Sequence, residues 1–447
     1  MACLSILKRT LVGAIVCALL IPGPAAAQEE VDPCAGGFPG ASAAYAQSYE
    51  RDDQLAATRG FSFRSVGMAA LDDILGSGGR KTAVAMFADS GSRHCVYILA
   101  GQRIRAFAVA EGKGPARERI ARLLDEWRKA TGIQDGPVRG LRTTLLAGAK
   151  PVARQSAKSS SAQLRAGERL ASELFPGETR AALTGFERLV VLPYAGLGAV
   201  PFAALPLGEG ETLFVDRLAI SISPGPRFFG SERPTAQFAD TTGCSRTTTR
   251  LPALVVGDPV APPLDGNIFP ALPGARREAI GSARRFGVAP LLGADAVRDT
   301  ILNKGREADV IHIAAHGVAD SKTPLDSYLA LSDGPWTAGD IQRACLTDTR
   351  IAILSACQSG LGGNHDGGII GLGRAFIMAG SANVAISLWS VDDAGTQVLM
   401  ENFLDALAAA SGSPPDQALR IAMLETRKAQ PSPFVWAAFT ILGQARQ

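Results

Sequence analysis

Histidine is scarce in this sequence, with four in 447 residues: His94, His312, His316 and His365. None stands in an HExxH arrangement. No CxxC occurs and no His/Cys group has zinc-ligand spacing, which excludes the usual metal sites. There is no GxSxG, so the serine-hydrolase nucleophile elbow is absent. There is no GxxxxGK[ST], and "GLGRAF" lacks the third glycine of a dinucleotide fingerprint, so no nucleotide cofactor is implied. An excess of one charge is also missing: 45 basic residues face 42 acidic ones, which excludes an electrostatic nucleic-acid surface. The 20–50-residue repeats of solenoids do not appear either.

Long hydrophobic runs are lacking as well. The longest near either end is Leu11 to Ile21, too short to span a bilayer comfortably. It follows Lys8 and Arg9, is broken by Pro22 and Pro24, and leads to Ala25-Ala26-Ala27. This is the pattern of a cleaved export signal over residues 1–27. The expectation is a secreted or periplasmic chain starting near Gln28, with no stable membrane insertion. Without Lys8 and Arg9 its net charge is about +1. Five of the seven cysteines then remain: Cys34, Cys95, Cys244, Cys345 and Cys357. An odd count in an exported chain signals a free thiol. The pairing of the others is open, as is the oligomeric state.

What is present is a folded, apolar-rich chain, 47% hydrophobic and 19% charged. "TAVAMFA" (82–88) and "CVYILAGQRIRAFAVA" (95–110) look like strands, the second around a Gly turn. "GPARERIARLLDEWRKATG" has apolar residues three and four apart and ends at Gly132, which predicts a helix. The composition between 143 and 164, centred on "AKSSSAQ", predicts a linker. Beyond it short apolar runs alternate with helical ones. "RLVVLP", "FVDRLAISIS", "ALVVGDP", "DVIHIAAHG", "RIAILSACQ" and "VAISLWSV" read as strands. "GARREAIGSARRFG" and the stretches near 392–410 and 414–429 read as helices. Such alternation predicts an α/β fold with a largely parallel sheet flanked by helices. A smaller N-terminal α+β region over 28–142 precedes it.

Two of these runs end on reactive side chains. "VIHIAAHG" ends at His316 and Gly317, and "AILSACQSG" ends at Cys357. The interval between them leaves room for a crossover whose helix starts at Thr337, with Asp340 three residues on. Right-handed crossovers bring such strands side by side. The imidazole and the thiol then share the carboxyl edge of the sheet, where open α/β sheets bind ligands. A base beside a thiol generates the thiolate and later protonates a leaving amine. The backbone N–H groups of Gly317 and Cys357 supply an oxyanion site. His312 reads as a core histidine. His94 and Cys95 are adjacent on a strand, point to opposite faces and form no pair. His365 and Asp366 fall in a glycine-rich loop.

"HIAAHG", "LSACQSGLG", "GGIIGLGRAFIMAGSANVAISLWSVDD" and "FVWAAFTILG", in that order, resemble the CHAT family of caspase-like cysteine peptidases. Upstream, "LVVLPYAGLGAVPFAALPLGEGETLFVDRLAISISP", "VVGDP" and "LPGARREA" are similar to the first half of that domain. The likeness covers about residues 165–447. It implies a caspase-like sheet, His316 as base, Cys357 as nucleophile and a protein or peptide substrate. Asp392 and Asp393 follow the strand that borders the cleft. Separases carry a similar Trp-x-Val-Thr-Asp step and accept Arg there, so the resemblance implies a preference for a basic residue before the scissile bond. A carboxylate there pairs well with Arg, although "VDDAG" is also a good helix N-cap. Two other functions use the same residues: a catalytically silent protein-binding module, and an envelope amidase or transpeptidase working through the same thiol.

Overall fold

The computed structural model describes residues 31–46, 81–133 except 102, 157–356 with breaks at 195–196, 209–210, 224–249, 265 and 321–322, then 364–365, 368–369, 371–389, 393–409 and 413–443. The export signal lies outside them. No described helix is long and apolar enough to cross a membrane.

Among the described residues the framework is an 11-stranded sheet. Its first edge is a meander of β1 (Thr82–Ser90), β2 (Arg93–Ala100) and β3 (Arg103–Glu111). The rest comprises β4 (Arg188–Leu192), β5 (Ala219–Ile222), β6 (Leu251–Pro259), β7 (Leu291–Gly293) and β8 (Ala308–Ala314), with β12 (Ile351–Leu354), β15 (Asn383–Ser387) and β16 (Phe439–Gly443). Their order is β3-β2-β1-β4-β5-β16-β15-β12-β8-β6-β7. All pairs are parallel except β1–β2, β2–β3 and β15–β16. The N-terminal strands therefore extend the main sheet, because β1 pairs with β4. β1, β4 and β12 are buried almost throughout, which explains why they read as continuous apolar runs.

Helices cover the sheet: α1 (Ala116–Thr131), α2 (Ala157–Leu174), α3 (Pro273–Phe286), α4 (Arg298–Gly305), α5 (Leu372–Met378), α6 (Asp393–Ala409) and α7 (Pro415–Ala429). α1 matches its pattern: Ile120 and Trp127 face inward, and Gly132 closes it in the left-handed conformation. Arg119 donates to Glu173 of α2 and to the carbonyls of Ser92 and Gly114, lacing hairpin, α1 and α2 together. Cys34 is disulfide-bonded to Cys95. Cys345 is also in a disulfide.

The fold departs from the sequence expectations in three places. The predicted linker over 143–164 turns helical from Ala157. Its Ala, Ser, Lys and Gln residues contain no breaker, so the helix anchored by Ala166, Leu170 and Leu174 propagates back through them. "FVDRLAISIS" is not one strand. Asp216 accepts the Leu213 N–H at 2.8 Å and closes a single helical turn, Phe214–Arg217, before β5. The crossover after His316 is mostly not helical. Thr337 does cap, its Oγ1 accepting the Asp340 N–H at 3.1 Å, but the helix is one turn, Ala338–Ile341. The rest includes a small antiparallel sheet of β9 (Gly317–Val318), β10 (Tyr328–Leu331) and β11 (Gly334–Thr337).

Candidate active site

His316 follows β8 at the carboxyl edge of the sheet and is 3% exposed. Its Nε2 lies 2.8 Å from the carbonyl oxygen of Pro270. A carbonyl only accepts, so Nε2 carries a proton there, and the ring's proton exchange falls to Nδ1. The Phe269 ring packs on the imidazole at 5.3 Å between centroids and reaches Tyr328 at 6.4 Å. Sequence reasoning missed both supports. A backbone carbonyl leaves no side-chain signature, and Phe269 sits in an irregular stretch with no periodicity.

The strand beside β8 is β12, in parallel register: Ile353 pairs with His312 and Leu354 with Ile313. The Ser355 N–H continues the ladder to the Ile313 carbonyl at 3.0 Å. The pairing keeps a constant offset of 41 residues, already present at Thr349–Ala308 and Arg350–Asp309. His316 and Cys357 stand apart in the sequence by the same interval. Cys357 lies outside the described residues. The Ala330 N–H donates to the His316 carbonyl at 2.9 Å, so Gly317 and Leu329 form the open pair of the small sheet. The Gly317 N–H therefore points away from β10.

β15 forms the other flank. Ser387 donates to the Ala356 carbonyl at 2.8 Å. Trp389 donates to the Phe434 carbonyl and packs against Trp127 of α1, 6.1 Å between centroids. Of the expected specificity residues, Asp392 lies outside the described residues. Asp393 opens α6, with only its backbone described. The backbone of His365 belongs to a two-residue strand, β13 (Asn364–His365), paired with β14 (Gly368–Ile369). Asp366 lies outside the described residues.

These features belong to a known family. A family model described as "CHAT domain" matches residues 164–444. The chain belongs to the CHAT domain family. Its fold is α/β, with a largely parallel sheet flanked by helices. Tetratricopeptide repeat protein 28 of Mus musculus is 24% identical over 300 residues, covering 58% of this chain and 12% of that protein. The same protein of Homo sapiens is 24% identical over 302 residues, with the same shares. The chain thus spans a small part of these curated relatives. Among solved structures, the Arg-specific cysteine proteinase gingipain R has a TM-score of 0.41 at 9% identity, covering 64% of this chain and 68% of that one. The separase–securin complex of Saccharomyces cerevisiae has a TM-score of 0.46 at 9% identity, covering 81% of this chain and 30% of that one.

Two other histidines of this CHAT protein, His312 and His94, are structural. His312 is fully buried, its Nε2 donating to Glu278 and its Nδ1 facing Ser282, each at 2.9 Å. His94 faces Tyr194 and the Leu174 carbonyl, while Cys95 points through the opposite face to Cys34. No group of three or more His, Cys, Asp or Glu among the described residues is arranged to hold a metal ion.

Proposed function

We propose that this CHAT protein is an exported cysteine endopeptidase with a His316–Cys357 dyad. The observation that carries the reading is the orientation of His316. Its ring is fixed by the Pro270 carbonyl at the carboxyl edge of a strand whose neighbour runs at the 41-residue offset that leads to Cys357. In this reading the Cys357 thiol passes its proton to His316 Nδ1. The thiolate attacks the peptide carbonyl, and the Gly317 and Cys357 N–H groups bind the oxyanion. His316 returns the proton to the leaving amine, and water then hydrolyses the thioester with His316 as base.

The reading needs Cys357 as a free thiol, and the position of Cys345 supports this. Cys345 precedes Leu346, whose N–H binds the Ala379 carbonyl, and Thr349, whose hydroxyl binds Ala308 at the start of β8. That is the amino edge of the sheet. From Arg350 to Ala356 the chain runs away from it by about 20 Å at strand rise. Disulfide Cα atoms stand within about 7 Å of each other, so Cys357 is a poor partner for Cys345. The Cys34–Cys95 and Cys345 disulfides also fit an oxidising compartment and support export. We assign a preference for Arg or Lys before the scissile bond to Asp392 and Asp393.

A peptide-library cleavage profile of the purified protein tests the whole reading. Wild type is expected to cut after basic residues, and Cys357→Ala and His316→Ala are each expected to abolish turnover, since the two act as a unit. Wild-type turnover in either variant refutes the dyad. Cleavage after apolar or acidic residues refutes the specificity assignment alone.

A further inference from the structure

His316 is held by a backbone carbonyl, so the direction of its ring depends on where the Pro270 backbone lies. The segment after β6 that carries Phe269 and Pro270 is irregular, and its anchors are few. At its start the Val260 N–H donates to Ser332 Oγ at 3.1 Å. Leu264 and Asn267 close a small loop by two mutual backbone hydrogen bonds. At its end the Leu272 N–H donates to Asp258 Oδ1 at 2.6 Å, within the protein interior. Leu272 also packs with Ala275 and Ala314, two residues before His316.

Asp258 is the only non-glycine residue with a positive φ, 50°, among the described residues. An L-residue in that region is strained, Asp and Asn less than others. The left-handed residue sits at a bulge in β6, between the pairings of Gly257 and Pro259 with β7, and its carboxylate reaches back to Leu272, with Arg276 3.8 Å from the other oxygen. The bond falls two residues from the carbonyl that holds His316.

We propose that Asp258 is a positioning residue for His316. It acts through the Leu272 amide, which fixes the Pro270 carbonyl and with it the direction of the His316 ring. The proposal rests on the dyad reading above. It assigns to Asp258 an effect on chemistry beyond its effect on the start of α3. The determinant is a hydrogen-bond acceptor presented from a left-handed backbone. Asp258→Asn keeps both, Asp258→Gly keeps the backbone alone, and Asp258→Ala keeps neither.

The test measures peptide turnover and the iodoacetamide alkylation rate of Cys357 at neutral pH, located by mass spectrometry, below the melting temperature of each variant. The alkylation arm needs no substrate. Wild type is expected to alkylate faster than His316→Ala. Asp258→Ala and Asp258→Gly are expected to lose about 10- to 100-fold in kcat with KM little changed, the scale of a base displaced by about 1 Å. Their alkylation should slow toward that of His316→Ala, while Asp258→Asn restores most of both rates. If Asp258→Ala does not fold, the Gly and Asn variants decide. Wild-type rates in folded Asp258→Gly, or an Asn variant as slow as Gly, overturn the proposal and leave the dyad standing. A wild type no faster than His316→Ala overturns the dyad, and the proposal falls with it.

Discussion

His94 shows how burial sets the chemistry of one side chain. It is wholly buried between Phe87 and Tyr194, with its Nε2–H on the Leu174 carbonyl and Nδ1 accepting from the Tyr194 hydroxyl. Burial pushes its pKa down to about 4, against partial compensation from the Leu174 carbonyl and Asp89. The folded value lies below the unfolded value of about 6.5, so the unfolded chain binds the proton first. The contribution of His94 to stability is full above pH 6.5 and is lost as pH falls toward 4. NMR titration of the His94 ring is expected to give a midpoint near 4. A midpoint near 6.5 would show that the ring is reached by water. The alternation that sends His94 and Cys95 to opposite faces was legible from their adjacency on a strand. Their partners, Tyr194 and Cys34, were not, because both lie far away in the chain.

At the scale of elements, α1 reaches from the N-terminal region to the strand end that flanks the site. Trp127 is 1% exposed and meets Trp389, and Arg128 donates to the Leu388 carbonyl at 3.4 Å. Trp127→Ala is expected to cost about 3–5 kcal/mol by opening a cavity. Under the proposed peptidase function it should also slow turnover in the folded protein, because Trp389 loses the ring behind it. Chemical denaturation and kcat measured together check this, and unchanged stability would show that the contact is dispensable. The "VVGDP" stretch carries a second example. A Cβ on Gly257 would lie 2.3 Å from the Ala279 Cβ, so the glycine lets α3 seat on β6. Sequence alone marked this stretch as a strand ending in a turn. It did not show that helix packing and loop anchoring explain consecutive residues of it.

For the molecule as a whole, one cross-link joins segments distant in sequence. The Cys34–Cys95 bond closes 61 residues and ties the segment before helical residues 37–46 to β2. A loop of that length contributes about 4 kcal/mol by restricting the unfolded chain. A buried ion pair, Arg188 to Asp416 at 2.8 Å, joins β4 to the first turn of α7 across the molecule. A non-reducing peptide map of exported protein is expected to begin near Gln28 and to contain Cys34–Cys95. It should also contain Cys345 joined to Cys244, the partner left in the proposed mature chain once Cys357 is a free thiol. A Cys345–Cys357 peptide would remove the nucleophile and with it the peptidase reading.

The sequence by itself determined most strands of the main sheet and the amphipathic helices, because periodicity acts within a few residues of the chain; it read a turn after His316 where the chain continues into β9. It also fixed the 41-residue interval between His316 and Cys357 that the β8–β12 register later matched. Only the tertiary structure decided that β16, last in the chain, inserts between β5 and β15, and that the N-terminal meander continues the same sheet. It alone brought the Pro270 carbonyl, Phe269 and Asp258 to bear on His316. Such contacts depend on where backbones far apart in sequence come to lie, and a carbonyl is the same group at every position until the fold points it at a partner.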